Sequence, residues 1–188
     1  MKLLRTGLPN LFTLLRILLI PVFIIIFYLP FSSSHAVAAI IFAVASVTDW
    51  LDGFLARKLH QTSPFGAFLD PVADKLLVAC SLLMLVGSCD LRYITIPAIV
   101  IVGREIVISA LREWMAEIGK RASVAVGYVG KIKTFMQMLA IIILIAFHSS
   151  TSLWGIAGVI LLYLSAIMTI WSMIAYLKIA WPELNKIK

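Results

Sequence analysis

Six long apolar stretches limit what this chain can become. They run approximately over Leu11–Pro30, Ala36–Ala56, Ala67–Val86, Ile94–Met115, Lys131–Phe147 and Leu153–Ile179. Each approaches or exceeds the roughly 20 residues that a helix needs to cross a bilayer. Hydrophobic residues make up 62% of the chain, and its mean hydropathy is +1.06. A soluble domain carries about 45–50% apolar residues, so this composition is that of an integral membrane protein. The first stretch is too long for a signal-peptide core and lacks a convincing cleavage site, so it reads as a retained helix. Short connections with breaker residues join the stretches, from Pro30 to His35, His60 to Pro64, Gly87 to Arg92 and Ser149 to Ser152. The exception is the longer polar run from Glu117 to Gly130. Repeats, low-complexity tracts and a domain-sized linker are absent from the sequence. The expectation is one domain over residues 1–188, all-α, a polytopic bundle of six transmembrane helices. Met1 to Gly7 mixes Leu3 and Leu4 with Lys2 and Arg5, which suits a short N-terminal interfacial segment.

The net charge of +7 suggests nucleic acid in a soluble chain. Here the aromatic residues sit inside apolar spans rather than among basic clusters, so no nucleic-acid partner is expected. The basic residues instead flank helices and meet anionic lipid. With the N-terminus inside, the inner ends and loops hold Lys2, Arg5, Arg57, Lys58, Lys120, Arg121, Lys131, Lys133, Lys178, Lys186 and Lys188. The outer loops hold Arg92 alone. Both termini are therefore expected on the cytoplasmic side. Cys80 and Cys89 occupy different surroundings and offer neither a disulfide framework nor metal-ligand spacing.

Four aspartates interrupt this apolar sequence within one short stretch: Asp49, Asp52, Asp70 and Asp74. A carboxylate at membrane depth costs roughly 2.5–3.5 kcal/mol, and grouped carboxylates repel one another as well. Asp49, Asp52, Gly53 and Ala56 follow i, i+3, i+4, i+7 on the second helix, which is one face. Gly66, Asp70 and Asp74 share a face of the third helix. The predicted topology puts both sets at the cytoplasmic ends of adjacent antiparallel helices. Oxygen-only ligands favour Mg²⁺ or Mn²⁺, and two ions can share such a set. Gly53, Ala56 and Gly66 leave room beside the acids, and Arg57 can pair with a phosphate. Two other readings stay open. One is an ion-paired packing cluster with small-residue helix contacts. The other is a cation or proton pathway, although the remaining spans lack polar stepping stones at mid-depth.

The segment from Asp49 to Asp74 resembles the signature of the CDP-alcohol phosphotransferase family, D-x2-D-G-x2-A-R-x8-G-x3-D-x3-D. Asp49, Asp52, Gly53, Ala56, Arg57, Gly66, Asp70 and Asp74 match it at every defining position. The runs Val47 to Trp50, Gly66 to Lys75 and Arg104 to Glu113 are similar to a bacterial branch of that family, and the similarity spans nearly the whole chain. The resemblance implies transfer of the phosphatidyl group of CDP-diacylglycerol to glycerol 3-phosphate, with CMP leaving. It implies Asp49, Asp52, Asp70 and Asp74 as ligands of two Mg²⁺ or Mn²⁺ ions, with Asp74 also the general base. Gly53, Ala56 and Gly66 would line the cytidine slot, and Arg57 would hold a phosphate. A homodimer in the bacterial inner membrane, with a cytoplasmic active site, is also what the family implies. The resemblance favours direct displacement over a covalent route.

A phosphorylated acceptor calls for a second cationic pocket. Arg104 is the foremost candidate, inside an apolar helix, with Arg112 eight residues further on and broadly the same side. A simple Arg104–Glu105 pair is the competing reading, but sequence neighbours point to different helix faces. Lys131 is preferred to Lys133 as a third cation, against simple snorkelling at the interface. Asn10, Thr13 and Arg16 lie at i, i+3, i+6 on the first helix. The resemblance draws Asn10 and Thr13 towards the nucleotide; capping and a snorkelling Arg16 are the alternative. Lys75 points about 100° away from Asp74. His35, His60 and His148 are read as interfacial and unclustered, as are most of the tryptophans.

Overall fold

The computed structural model describes residues 8–59, 64–88, 92–119, 128–149 and 152–184, with side chains at 13–48, 66, 68–87, 93–119, 130, 132–149 and 152–183. Regular structure among them is helical throughout. The six α-helices are α1 (Leu8–Tyr28), α2 (Ser34–Leu59), α3 (Pro64–Ser88), α4 (Thr95–Glu117), α5 (Tyr128–Ala146) and α6 (Leu153–Leu184), with one 3-10 turn at Arg92–Ile94. Each of the apolar stretches falls on one helix. Pro64 opens α3, where a missing N–H leaves no helical bond unmade. Beyond α4, Gly119 adopts φ +75°, and its N–H bonds the Ala116 carbonyl at 3.1 Å. That left-handed turn is how a glycine ends a helix. α6 outruns its expected end at Ile179 and carries Pro182 in its last turn.

Charge decides how apolar each helix is. Among the described residues, Leu153–Glu183 alone is long and apolar enough to cross a membrane by hydropathy. α1, α2 and α5 contain the shorter apolar runs Thr13–Tyr28, Ser34–Thr48 and Ile132–Ala146. In α3 and α4 the apolar sequence is interrupted by Asp70, Asp74 and Lys75, and by Arg104, Glu105 and Arg112.

α1 packs on α2 and α3, α2 on α5, α5 on α6, and α6 on α4. The main core joins Phe23, Phe42, Leu82, Leu85, Ile101, Ile141, Leu144 and Leu162, drawn from every helix. Phe23 tilts against Phe42 with ring centres 6.0 Å apart. A smaller cluster of Ile108, Met115, Tyr176 and Ala180 joins α4 to α6 nearer the C-terminal ends of both. Between these two apolar clusters lies polar space. The exterior is apolar too, with Leu18, Ile40, Phe68, Ile99, Phe135 and Trp171 exposed. A patch of that extent marks contact with another apolar phase.

The close approach of α5 and α6 depends on Gly158. A Cβ there would meet Leu144 Cγ at 2.9 Å and Ile143 Cγ2 at 3.1 Å. Leu144 is buried and has little freedom to yield. Gly158→Ala is therefore expected to destabilise the protein by about 1–3 kcal/mol through overpacking. Thermal unfolding in detergent measures this, and an unchanged midpoint would show that the two helices separate freely.

The reading of the histidines as unclustered is corrected. His35 and His148 stack with ring centres 4.2 Å apart, and Phe27 packs against both, at 5.0 and 5.5 Å. The α1–α2 and α5–α6 connections lie at the same end of the bundle, which brings together residues far apart in sequence. His60 and Cys89 lie outside the described residues, and Cys80 is a half-buried free thiol.

Candidate active site

Four helices enclose a cavity of about 150 Å³ between the two apolar clusters. α3 contributes Asp74 and Lys75, α4 contributes Arg104, Glu105 and Arg112, α5 contributes Lys133, Thr134 and Gln137, and α6 contributes Tyr176. Arg104 is 8% exposed and Lys133 3%. Taking such ions out of water costs several kcal/mol each unless partners compensate. The compensation is specific. Arg104 donates Nη1 to Glu105 Oε1 at 2.9 Å and Nη2 to Ser172 Oγ at 3.1 Å. Lys133 Nζ donates to the same Glu105 oxygen at 3.4 Å. Arg112 donates Nη2 to the Tyr176 hydroxyl at 3.2 Å. The guanidinium carbons of Arg104 and Arg112 lie 5.9 and 5.2 Å from the centre of the Tyr176 ring. Within this group three cations face one carboxylate, Glu105. A net positive cavity walled by guanidinium and ammonium donors suits a phosphate.

The Arg104–Glu105 pair, set aside on helix geometry, does form. The backbone directions differ by about 100°, but both side chains are long, and Lys133 holds Glu105 on the Arg104 side. Lys75, expected to point away from Asp74, borders the same cavity. The Lys131 side chain lies outside the described residues. Lys133, ranked behind it, is the α5 lysine that borders the cavity.

The acids divide between described and undescribed residues. On α3, Asp70 and Asp74 sit one turn apart, and Gly66 is buried one turn before Asp70. Thr13 of α1 donates to Asp70 Oδ1, which ties α1 to the acidic face of α3. Thr13 is 2% exposed and Arg16 is completely buried, so Arg16 does not snorkel. Asp49, Asp52, Gly53, Ala56 and Arg57 belong to the C-terminal part of α2, which packs on α3; their side chains, and that of Asn10, lie outside the described residues. Among the described residues no three His, Cys, Asp or Glu side chains gather as metal ligands. The described members of the expected set, Asp70 and Asp74, offer carboxylate oxygen only, which fits a hard divalent cation.

Tyr176, Ser172 and Gln137 were missed by sequence reasoning. A signal existed on α6, where Ser165, Thr169, Ser172 and Tyr176 fall at i, i+4, i+7, i+11. That spacing is one polar stripe on an otherwise apolar helix. Ser165 and Thr169 are fully buried and Tyr176 is 8% exposed, so the stripe faces the protein interior.

A helical bundle that keeps acids and buried cations side by side has the groups that phosphate chemistry uses. Residues 6–171 match the CDP-alcohol phosphatidyltransferase family, and the chain belongs to it. Among its relatives is the CDP-diacylglycerol–glycerol-3-phosphate 3-phosphatidyltransferase of Pseudomonas fluorescens, 52% identical over 95% of this chain and 92% of the relative. The enzyme of the same name from Haemophilus influenzae is 53% identical over 94% of each chain. That from Escherichia coli K12 is 50% identical over 95% of this chain and 97% of its own.

Proposed function

We propose that the chain transfers the phosphatidyl group of CDP-diacylglycerol to glycerol 3-phosphate, giving phosphatidylglycerophosphate and CMP. One juxtaposition carries this reading: Asp74 borders the same cavity as Arg104, Arg112 and Lys133. The cations bind the phosphate of the acceptor and leave its terminal hydroxyl beside Asp74. Asp74 takes the proton of that hydroxyl as general base. The hydroxyl oxygen bonds to the phosphorus next to diacylglycerol, and the phosphorus–oxygen bond to CMP breaks, its electron pair leaving with CMP. Asp49, Asp52, Asp70 and Asp74 hold two Mg²⁺ or Mn²⁺ ions, whose chemistry is to neutralise charge on the pyrophosphate. Gly53, Ala56 and Gly66 line the cytidine slot with Asn10 and Thr13 nearby, and Arg57 holds a phosphate. Arg104 and Arg112 are kept as acceptor ligands; Lys133 joins them ahead of Lys131.

The six helices cross the bacterial inner membrane as one domain, with both termini and the site on the cytoplasmic side. The apolar exterior and the Lys and Arg distribution support that topology. The assay uses purified protein in mixed micelles with CDP-diacylglycerol, labelled glycerol 3-phosphate and Mg²⁺ or Mn²⁺. Label is expected in lipid with one CMP released per product, and a chelator is expected to abolish both. Turnover with inositol phosphate instead would overturn the acceptor and leave the family intact. Silence with every alcohol, in folded protein that binds CDP-diacylglycerol, would overturn the transferase reading.

A further inference from the structure

The cavity contains a group that phosphate binding and proton transfer leave unused. Gln137 lies one helical turn beyond Lys133 on α5, is 3% exposed and borders the cavity. Its Oε1 is buried and has no hydrogen-bond partner among the described residues. An unpaired buried amide oxygen costs about 1–3 kcal/mol, so it persists where something else repays the cost. Two other polar groups of the cavity wall are already engaged. Glu105 Oε1 is shared by Arg104 and Lys133, and Thr134 donates to the Gly130 carbonyl at 2.9 Å. Arginine and lysine donate only, so they serve the phosphate and cannot accept from a hydroxyl. The cavity thus combines phosphate donors, the Asp74 carboxylate, the engaged Glu105 carboxylate and one unpartnered amide oxygen.

We infer that Gln137 is a specificity-determining residue that reads a second hydroxyl of the acceptor. The inference rests on the transferase reading above. Glycerol 3-phosphate presents a phosphate, a terminal hydroxyl that attacks and a central hydroxyl that does not react. The central hydroxyl donates to the Gln137 amide oxygen. A half-turn of the amide exchanges its oxygen and nitrogen, so the hydroxyl can be met as donor or acceptor. An acceptor without that hydroxyl leaves the amide unpaired, which is how a polar site rejects a close analogue.

The test compares glycerol 3-phosphate with 3-hydroxypropyl phosphate, which lacks only the central hydroxyl. The unsubstituted protein is expected to favour glycerol 3-phosphate in kcat/KM by on the order of tenfold to a hundredfold. In Gln137→Leu the ratio is expected to collapse towards unity, chiefly through slower use of glycerol 3-phosphate. Gln137→Met, closer in shape, provides the same reading if the leucine variant does not fold. Equal losses with both acceptors would make Gln137 a packing residue and overturn the inference. So would an unsubstituted protein that treats the two acceptors alike. Absence of turnover with either acceptor would remove the transferase reading itself, and this inference with it.

Discussion

Asp74→Asn is expected to lose on the order of 10²–10⁴-fold in kcat, the range associated with a positioned general base. Asparagine matches aspartate in size and keeps one oxygen, so the helical wall formed by α3 persists. It has no carboxylate to receive the acceptor proton. The informative contrast is Asp70→Asn, one turn earlier. Asp70 accepts a hydrogen bond from Thr13, and an asparagine oxygen can accept the same bond. The Asp70 variant should therefore keep the α1–α3 contact and lose activity through pyrophosphate binding, with a raised requirement for added divalent cation. The Asp74 variant should not recover at any cation concentration. Product formation and CMP release measure both, with elution in detergent as the check on folding. More than a tenth of normal activity in a folded Asp74→Asn protein would remove Asp74 as the base.

The helices were legible from sequence because their signal is strong and local. Apolar runs of spanning length, broken by Pro, Gly and polar residues, placed each helix, and the observed ends differ by a few residues. Less visible was where an end is set by backbone conformation, as at Gly119 after α4, or where a helix simply continues, as α6 does past Ile179 to Leu184. Side-chain direction was harder still. Helical periodicity describes Cβ vectors, and long side chains depart from them. That is why Arg104 and Glu105 meet although adjacent in sequence, and why Lys75 shares a cavity with Asp74. Pairings between distant helices have no local signal at all. His35 meets His148, Thr13 meets Asp70, and Arg112 meets Tyr176, each through packing that no window of sequence contains. The Asp49–Asp74 signature was legible as a mark of the family, while Arg104 and Arg112 stood out in the sequence and the α6 stripe that meets them did not.

Arg104→Ala should produce the second large effect, this time in KM for glycerol 3-phosphate. Truncating one partner of a buried, hydrogen-bonded charge pair costs about 2–5 kcal/mol, or roughly 30-fold to several-thousand-fold in binding. Two consequences add here. The acceptor phosphate loses a guanidinium, and Glu105 keeps Lys133 as its remaining described cation. Arg104→Lys should rescue little, because one ammonium cannot span both Glu105 and Ser172 as the two guanidinium nitrogens do. Free glycerol separates a phosphate role from a structural one. It has no phosphate for Arg104 to hold, so any turnover of glycerol at high concentration should suffer much less from the substitution. The preference for glycerol 3-phosphate over glycerol should therefore shrink in both variants. An equal loss with the two acceptors would mean that Arg104 maintains the junction of α4 and α6 rather than binding phosphate. An unchanged KM with a reduced kcat would instead move Arg104 towards the reacting phosphorus, where charge develops during transfer.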